Sequence, residues 1–418
     1  MERLEGKPPR VRGLFHCLPA FVLACAIAPL SQAEPVGLTP EQTLGRALFF
    51  DPTLSHPSGQ SCAGCHAPTT AFSSADRSTP TSAGVTGLLL GSRNAPTAMY
   101  SAFSPTFGRD AEGAVVGGQF LDGRAATLEA QARGPFVNPI EMANPDAASV
   151  IEKLRASPNA ALFESVYGQG ALSNVETAYV QVAQAIAAFE RTPELAPFSS
   201  KYDAYLDGST QLSADELAGL RAFEDPMKGN CAACHPGRPT GEGRSPLFTD
   251  FTYDNLGVPR NPHNRFYDMP SAFNPEGHAF VDRGLGATTG DSGDDGKFKV
   301  PTLRNIALTA AYMHNGYFAT LESVVDFYNT RDMKPACVDP FTGEADALRL
   351  ECWPAAEVPM NVNGEELGNL GLSPLEVRQV VAFLETLTDG WNGTASEPGS
   401  LVLLAAGVAA LLANRRRL

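Results

Sequence analysis

Positive charge is scarce in this chain. Its 31 Lys and Arg stand against 46 Asp and Glu, a formal net charge of −15. No basic stripe is left to neutralise phosphates, which argues against a nucleic-acid partner. The acidity suits a small basic protein instead. Histidine is scarcer still, seven in 418 residues, and none stands between His66 and His235. The eight cysteines never form two Cys-x-x-Cys pairs at the separation of about 15–20 residues that a zinc ribbon needs. No βαβ pattern surrounds a Cys-x-x-Cys, which disfavours a thioredoxin-like redox pair. Near the C-terminus, Leu401 to Ala413 is apolar, but as a helix it would reach only ~20 Å against ~30 Å of hydrocarbon.

What the chain does carry is a doubled signature. Cys62-Ala63-Gly64-Cys65-His66 and Cys231-Ala232-Ala233-Cys234-His235 both follow the Cys-x-x-Cys-His pattern that attaches a c-type haem. Two thiols one helical turn apart can form thioethers to the two vinyl groups of one porphyrin. The histidine that follows reaches the iron as proximal ligand. Two covalently bound haem c groups are therefore expected.

Periplasmic haem attachment requires export, and residues 1–33 read as a Sec signal peptide. Arg3, Lys7, Arg10 and Arg12 make its positive n-region, Leu14 to Leu30 its apolar run and Ser31-Gln32-Ala33 its cleavage site. A rival, Val22-Leu23-Ala24-Cys25, would leave Cys25 lipidated, although Leu23 sits where a small residue is usual. Cys17 and Cys25 then leave with the leader and four cysteines hold haem. Cys337 and Cys352 remain, and an oxidising compartment is expected to pair them; closing a loop of about 15 residues stabilises by ~3 kcal/mol on the chain-entropy model. Residues 393–418 form a tail in which Glu397-Pro398-Gly399 precedes the apolar run and Arg415-Arg416-Arg417 follows it. It resembles PEP-CTERM sorting signals handled by exosortases, with Ser396 where the first proline belongs. The alternative is a simple membrane tether. Either implies transient membrane association of a protein in the periplasm or at the cell surface.

Between these ends the chain repeats itself. Leu38-Thr39-Pro40-Glu41-Gln42 opens a helix through Phe50 ahead of the first haem motif, and Leu212-Ser213-Ala214-Asp215-Glu216 opens another through Phe223 ahead of the second. Thr39 with Gln42 and Ser213 with Glu216 are capping boxes, and Pro40 at the first helical position loses nothing by lacking an N–H. The pattern recurs at Ser373-Pro374-Leu375-Glu376, opening a helix to Thr388 with Val377, Val380, Val381, Leu384 and Leu387 at helical spacing. Val175 to Arg191 closes the first copy and the Ser373 helix the second. The expected fold is mostly α: two cytochrome c-type domains, residues 34–205 and 206–392, each with one covalent haem. Loops rich in Gly and Pro (39 and 33 residues) would wrap the porphyrins. The Gly-rich run Gly284 to Gly296 follows no strand and opens no helix, so no dinucleotide site is expected. Its Asp291, Asp294 and Asp295 lack the glutamate that closes a calcium loop, and a solvated, mobile loop is the expectation.

A haem with both axial positions filled carries electrons, and one with an open position can catalyse. Met99 and Met142 are candidate ligands in the stretch without histidine. Cleaving a peroxide needs a base that moves a proton from its inner to its outer oxygen, and a donor that holds it. Over roughly residues 38–390 the chain resembles the bacterial di-haem cytochrome c peroxidase and MauG family. The likeness rests on both haem motifs, on Phe120-Leu121-Asp122-Gly123-Arg124, on Asn138-Pro139-Ile140-Glu141-Met142, on Val300-Pro301-Thr302-Leu303-Arg304-Asn305 and on Tyr312-Met313-His314-Asn315-Gly316.

The resemblance implies that the N-terminal haem meets peroxide, with Glu141 as acid/base, Gln131 as hydrogen-bond donor and Pro135 as an apolar wall. Many of these peroxidases carry a distal histidine after the first motif, where this chain reads Pro80-Thr81-Ser82-Ala83. An iron open at rest is therefore expected, with His56 the only nearby substitute. At the His235 haem the resemblance implies Tyr328 as sixth ligand, as in MauG, where the peroxidases have methionine. Met333 and Met313 are rivals. A phenolate would stabilise ferric iron and lower its potential. The family also implies one Ca²⁺ held by the Asn94 side chain and the carbonyls of Thr309 and Ala311, hard oxygen donors that suit it. Leu121 departs from the family, which has tryptophan between the haems. Leucine cannot carry an electron hole, so transfer must tunnel or use Phe120.

The leading expectation is a peroxidase that reduces H₂O₂ to water, with electrons from a small cytochrome c or cupredoxin entering through the C-terminal haem. The runner-up is a MauG-like oxidase acting on residues of a partner protein substrate through high-valent haem iron. The third is a di-haem electron carrier or sensor without catalysis.

Overall fold

A mostly helical chain follows from local rules that the structure, a computed structural model, displays residue by residue. It describes residues 37–76, 79–239, 245–309 and 311–393. The expected signal peptide (residues 1–33) and all but the first residue of the expected sorting tail (residues 393–418) lie outside the described residues. The α-helices are, in order, α1 (Pro40–Phe49), α2 (Cys62–Cys65), α3 (Leu128–Val137), α4 (Ala147–Ala156), α5 (Ala160–Tyr167), α6 (Val175–Glu190), α7 (Lys201–Leu206), α8 (Ala214–Glu224), α9 (Leu285–Thr289), α10 (Leu321–Thr330), α11 (Glu344–Leu350) and α12 (Pro374–Glu385). Strand is confined to two antiparallel ribbons, β1 (Gly108–Arg109) with β2 (Val115–Val116) and β3 (Tyr253–Asp254) with β4 (Phe298–Lys299). No helix among the described residues is long and apolar enough to cross a membrane.

Thr39, Ser213 and Ser373 cap α1, α8 and α12 as reciprocal boxes with Gln42, Glu216 and Glu376. Each box satisfies two backbone donors that a helix start leaves orphaned. The helices then cross in two matching pairs. Gly45 of α1 lies so close to α6 that a Cβ would stand 1.7 Å from the Ala185 carbonyl oxygen, and Gly219 of α8 would put one 1.8 Å from that of Gln379 in α12. An edge-to-face phenyl pair seals each crossing, Phe49 on Phe189 with centroids 5.4 Å apart and Phe223 on Phe383 at 5.1 Å. One core gathers around α1 and α6 through Leu44, Leu48, Val182 and Ile186, the other around α8 and α12 through Leu220, Val380, Val381 and Leu384.

Because the obstruction is backbone, a methyl at Gly219 can be admitted only by moving α8 off α12. Overpacking of this kind costs roughly 1–3 kcal/mol, here at the upper end. Gly219→Ala should therefore lower the thermal unfolding midpoint by several degrees, read by circular dichroism; an unshifted midpoint would show that the crossing relaxes freely.

The cores are joined by a buried polar latch. Arg304, with a fully buried side chain, donates in parallel to both Asp203 oxygens (2.9 and 2.8 Å) and to the Pro246 carbonyl at 2.7 Å. Its guanidinium lies over Phe198 at 4.6 Å and Tyr100 at 5.1 Å, so one side chain binds α7 and the aromatics of the first core. Asp389 closes the other side, accepting from the Tyr100 hydroxyl and the Asn305 amide, both at 2.7 Å.

Two further features concern loops. The run Gly284 to Gly296 is ordered by α9, contrary to the expectation of a solvated loop that opens no helix. Leu285 is buried and supplies the missing anchor. Asp294 pairs with Lys297 at 3.1 Å and Asp295 with Arg283 at 2.7 Å, so local partners consume these carboxylates. Farther on, Cys337 and Cys352 are joined by a disulfide with Cα atoms 5.0 Å apart.

Candidate functional site: two cavities sharing a wall

Each Cys-x-x-Cys-His segment begins a short helical turn, α2 for the first and a 3₁₀ turn over Cys231–Ala233 for the second. That turn brings both thiols and the histidine to one face. The four thiols are unpaired. Burial pushes them up, Cys65 to about 11 and Cys231 and Cys234 to about 12, so they stand as neutral thiols. His66 Nδ1 lies 3.1 Å from the Phe72 carbonyl and His235 Nδ1 2.8 Å from the Phe248 carbonyl. A carbonyl only accepts, so Nδ1 carries the proton and Nε2 is left with its lone pair for a metal. Burial lowers both imidazoles, which keeps them neutral. Each set opens on a cavity, about 420 Å³ at Cys62, Cys65 and His66 and about 300 Å³ at Cys231, Cys234 and His235. Neutral thiols, an oriented imidazole and a large apolar-walled space are what a covalent haem requires.

The N-terminal cavity also receives Gln131 and Pro135 from α3, and Glu141 from the segment after it. Thr127 caps α3, its hydroxyl accepting from the Ala130 amide, so one face of this helix is held toward the cavity. Burial raises the Glu141 carboxyl above the usual range, with Arg124 and Asn138 pulling it back. Its backbone is gripped by the loop that lacks histidine. The Val85 amide donates to the Glu141 carbonyl at 2.8 Å, and a Cβ on Gly84 would stand 1.6 Å from the Ile140 carbonyl oxygen. Ser82 and Ala83 line the cavity as well. His56 is exposed and not among the lining residues. Met142 does line this cavity, whereas Met99 lines the other, with Sδ 3.4 Å from the Asn305 amide.

In the C-terminal cavity, α10 contributes Val324, Val325 and Tyr328. Burial raises the Tyr328 phenol, so it is neutral unless a cation faces it. Met313 lines the same space, whereas Met333 is 63% exposed. Cys234, Asp254 and Glu366 come close enough to suggest a metal cluster, but the Cys234 sulfur belongs to the haem motif.

Comparisons with known proteins agree with this geometry. Residues 39–211 match the family model described as di-haem cytochrome c peroxidase. The chain is 40% identical over 385 residues to the methylamine utilization protein MauG of Paracoccus denitrificans, covering 88% of this chain and 95% of that one. It is 34% identical over 314 residues to the cytochrome c551 peroxidase of Nitrosomonas europaea, covering 73% and 79%. The crystal structure of the diheme peroxidase BthA from Burkholderia thailandensis superposes with a TM-score of 0.69 at 34% identity, covering 84% of this chain and 86% of that one. The chain belongs to the di-haem cytochrome c peroxidase and MauG family. Membership implies two covalent haem c groups and oxidoreductase chemistry, and both peroxidase and MauG names occur among the relatives.

Within this di-haem protein the two cavities share a wall. Asn94 to Thr97, Ser101 and Gln119 to Leu121 line both. Leu121 thus stands between them. Phe120 beside it is covered by the Arg124 guanidinium at 3.6 Å. The wall is braced by Arg93, which pairs with Asp122 and Asp282, both at 2.6 Å. The Asn94 side-chain amide is in contact with the Ala311 carbonyl, and Thr309 and Ala311 line the C-terminal cavity with it. As placed, Asn94 donates its side-chain N–H to the Ala311 carbonyl, so an all-oxygen, neutral set for a hard cation would need this amide turned over.

Sequence reasoning missed Glu190. It sits on α6, is 5% exposed, and lines the N-terminal cavity. The repeat held the signal, since α6 and α12 place equivalent residues at their cavities.

Proposed function

We propose that the protein is an exported di-haem peroxidase that takes two electrons and two protons to convert H₂O₂ into two waters at the N-terminal haem. What carries this reading is the gathering of Gln131, Pro135 and Glu141 in the cavity of Cys62, Cys65 and His66, since a pure electron carrier has no use for a distal acid. When bound, the haem supplies an iron that coordinates peroxide and exchanges electrons. Glu141 takes the proton from the inner peroxide oxygen and returns it to the outer one, which then leaves as water. Gln131 donates a hydrogen bond that orients the peroxide, and Pro135 excludes water. His235, Cys231 and Cys234 would hold the second haem, which would accept electrons from a small cytochrome c or cupredoxin, and Phe120 and Leu121 would form the path across the wall. Asn94, Thr309 and Ala311 would hold a Ca²⁺ beside this wall. The signal peptide directs the chain to the periplasm, and the tail adds sorting or transient membrane association.

A MauG-like oxidase that modifies a partner protein is the second reading. Tyr328 in the C-terminal cavity and the lack of a distal histidine favour it. Steady-state turnover of H₂O₂ with reduced cytochrome c separates the two. Fast donor turnover supports the peroxidase, and a long-lived oxidised protein that ignores the donor supports the oxidase.

Tyr328→Phe removes the proposed sixth ligand and should eliminate the low-spin ferric signal of the C-terminal haem in electron paramagnetic resonance; a retained signal returns Met313 to the position. Leu121→Trp should speed equilibration between the haems after a half-reducing pulse in stopped-flow absorbance, and an unchanged rate would show that the wall residue is not a relay.

A further inference from the structure

The two copies differ at one buried position for which the fold gives no reason. Ile186 and Glu190 of α6 line the N-terminal cavity, and Val380 and Leu384 of α12 line the C-terminal one at the same four-residue spacing. Phe189 and Phe383 precede the second residue of each pair and make the matching crossing contacts. Leu384 shows that a hydrophobe satisfies this place in the architecture. Glu190 is instead a carboxyl 5% exposed, with Oε2 buried and without any hydrogen-bond partner. An unpaired buried polar atom is destabilising, a cost that a purely structural residue has no reason to carry.

The charged groups around it leave it unpaired. Arg191, next on α6, is bound to Glu129 of α3 at 2.7 Å. Arg46 of the packed helix α1 is bound to Glu194 at 2.9 Å. From α2 the facing group is the Cys62 thiol, which haem attachment converts to an uncharged thioether. Glu141 and Asp122 are the other carboxyls lining the cavity, and Asp122 is paired with Arg93 at 2.6 Å and with Arg124 at 2.8 Å.

We infer that Glu190 is the proton partner of the N-terminal haem: it takes up one proton from solvent for each electron the redox donor delivers to that iron, and releases it when the iron is reoxidised. In balance, carboxylate, proton, electron and ferric iron become carboxylic acid and ferrous iron. Ferric haem carries one more positive charge than ferrous, and in a dry cavity that charge favours the carboxylate. Burial already pushes the acid up to about 8, so a modest change of field moves it across neutrality. Part of the proton demand of reduction is thereby met inside the protein. The inference needs a haem on Cys62 and Cys65 but no peroxide reactivity, so a protein inert to H₂O₂ tests it equally well.

The test is a spectroelectrochemical titration of the holoprotein, with two covalent haems per chain verified first, resolving each haem across neutral pH. In the wild type the N-terminal midpoint should fall as pH rises, approaching the ~59 mV per unit of one proton per electron. Glu190→Gln and Glu190→Leu, the latter copying Leu384, should both flatten that slope and leave the C-terminal haem unchanged. Glu141→Gln should retain it. A pH-independent wild type, a slope that survives both Glu190 variants, or one lost in Glu141→Gln overturns the assignment. Should the Glu190 variants fail to fold, the oxidised-minus-reduced infrared spectrum of the wild type and of Glu141→Gln decides. A carboxylic-acid C=O band lost on oxidation in both supports the inference, and its absence overturns it.

Discussion

Glu141→Gln is expected to slow the reaction of the N-terminal haem with H₂O₂ by ~10²–10⁴-fold, the usual contribution of a positioned acid/base. The substitution keeps the shape and the hydrogen-bonding reach of the side chain and removes only its capacity to hold a proton. The pH dependence gives a sharper test than the rate. Burial raises this carboxyl, and Arg124 and Asn138 offset only part of that rise. The form that accepts a proton from peroxide is the carboxylate. The wild-type rate should therefore climb with pH through an apparent pKa above the ordinary carboxylate range, and the Gln variant should lose that limb. Stopped-flow mixing with H₂O₂ at a series of pH values measures both. Equal rates in the two proteins would leave the distal set without a proton carrier and would revive the electron-carrier reading. An unchanged haem spectrum at rest is the control, because the Val85 hydrogen bond and the Gly84 contact depend on the backbone of this segment and not on the Glu141 side chain.

What could be read from the chain beforehand depended on how local the rule is. A haem motif and a capping box are each written within a few residues, the Cys337–Cys352 pair follows by subtraction from the other six cysteines, and Thr39, Ser213 and Ser373 cap as their neighbours dictate. Composition misleads where tertiary burial intervenes. Gly284 to Gly296 has the look of solvated loop, but burying Leu285 turns part of it into α9. Glu190 was hidden for the opposite reason. In Ala187-Ala188-Phe189-Glu190-Arg191 an acid near a helix end reads as solvent-facing, and only the register of α6 against α1 and α3 turns it inward. Comparing the two copies would have found it, because Glu190 falls where Leu384 lines the other cavity. Leu121 was recognisable as a departure, but its place in a wall common to both cavities needed the fold.

Arg304→Met should cost about 3–5 kcal/mol at neutral pH, the penalty for stranding a buried charge whose partner has been removed. The guanidinium is fully buried and makes two bonds to Asp203 and one to Pro246. Methionine replaces the bulk but leaves Asp203 facing an apolar space. The acid response follows from the same pair. Burial would raise the Asp203 carboxyl, but the Arg304 and Ser200 hydrogen bonds and the Arg304 charge outweigh it and hold the group down at about 2. Its folded value lies below its unfolded one, so the pair's contribution, roughly 2 kcal/mol, is present above pH ~4 and lost as pH falls toward 2. In the variant the carboxylate keeps the Ser200 hydrogen bonds but loses the bonds and charge of Arg304, so burial raises it and acid relieves the strain by protonating it. The stability gap between the two proteins should therefore be widest at pH 7 and narrow steadily toward pH 3, measured by urea unfolding at both. Asp203→Asn combined with Arg304→Met should recover much of the loss at pH 7, because no buried charge remains. Since Arg304 ties the Val300–Leu303 lining of the C-terminal cavity to the aromatics of the first core, the single variant should also slow electron transfer between the haems while both remain attached. A gap that does not change with pH would assign the cost to lost packing on Tyr100 and Phe198 and not to the ion pair.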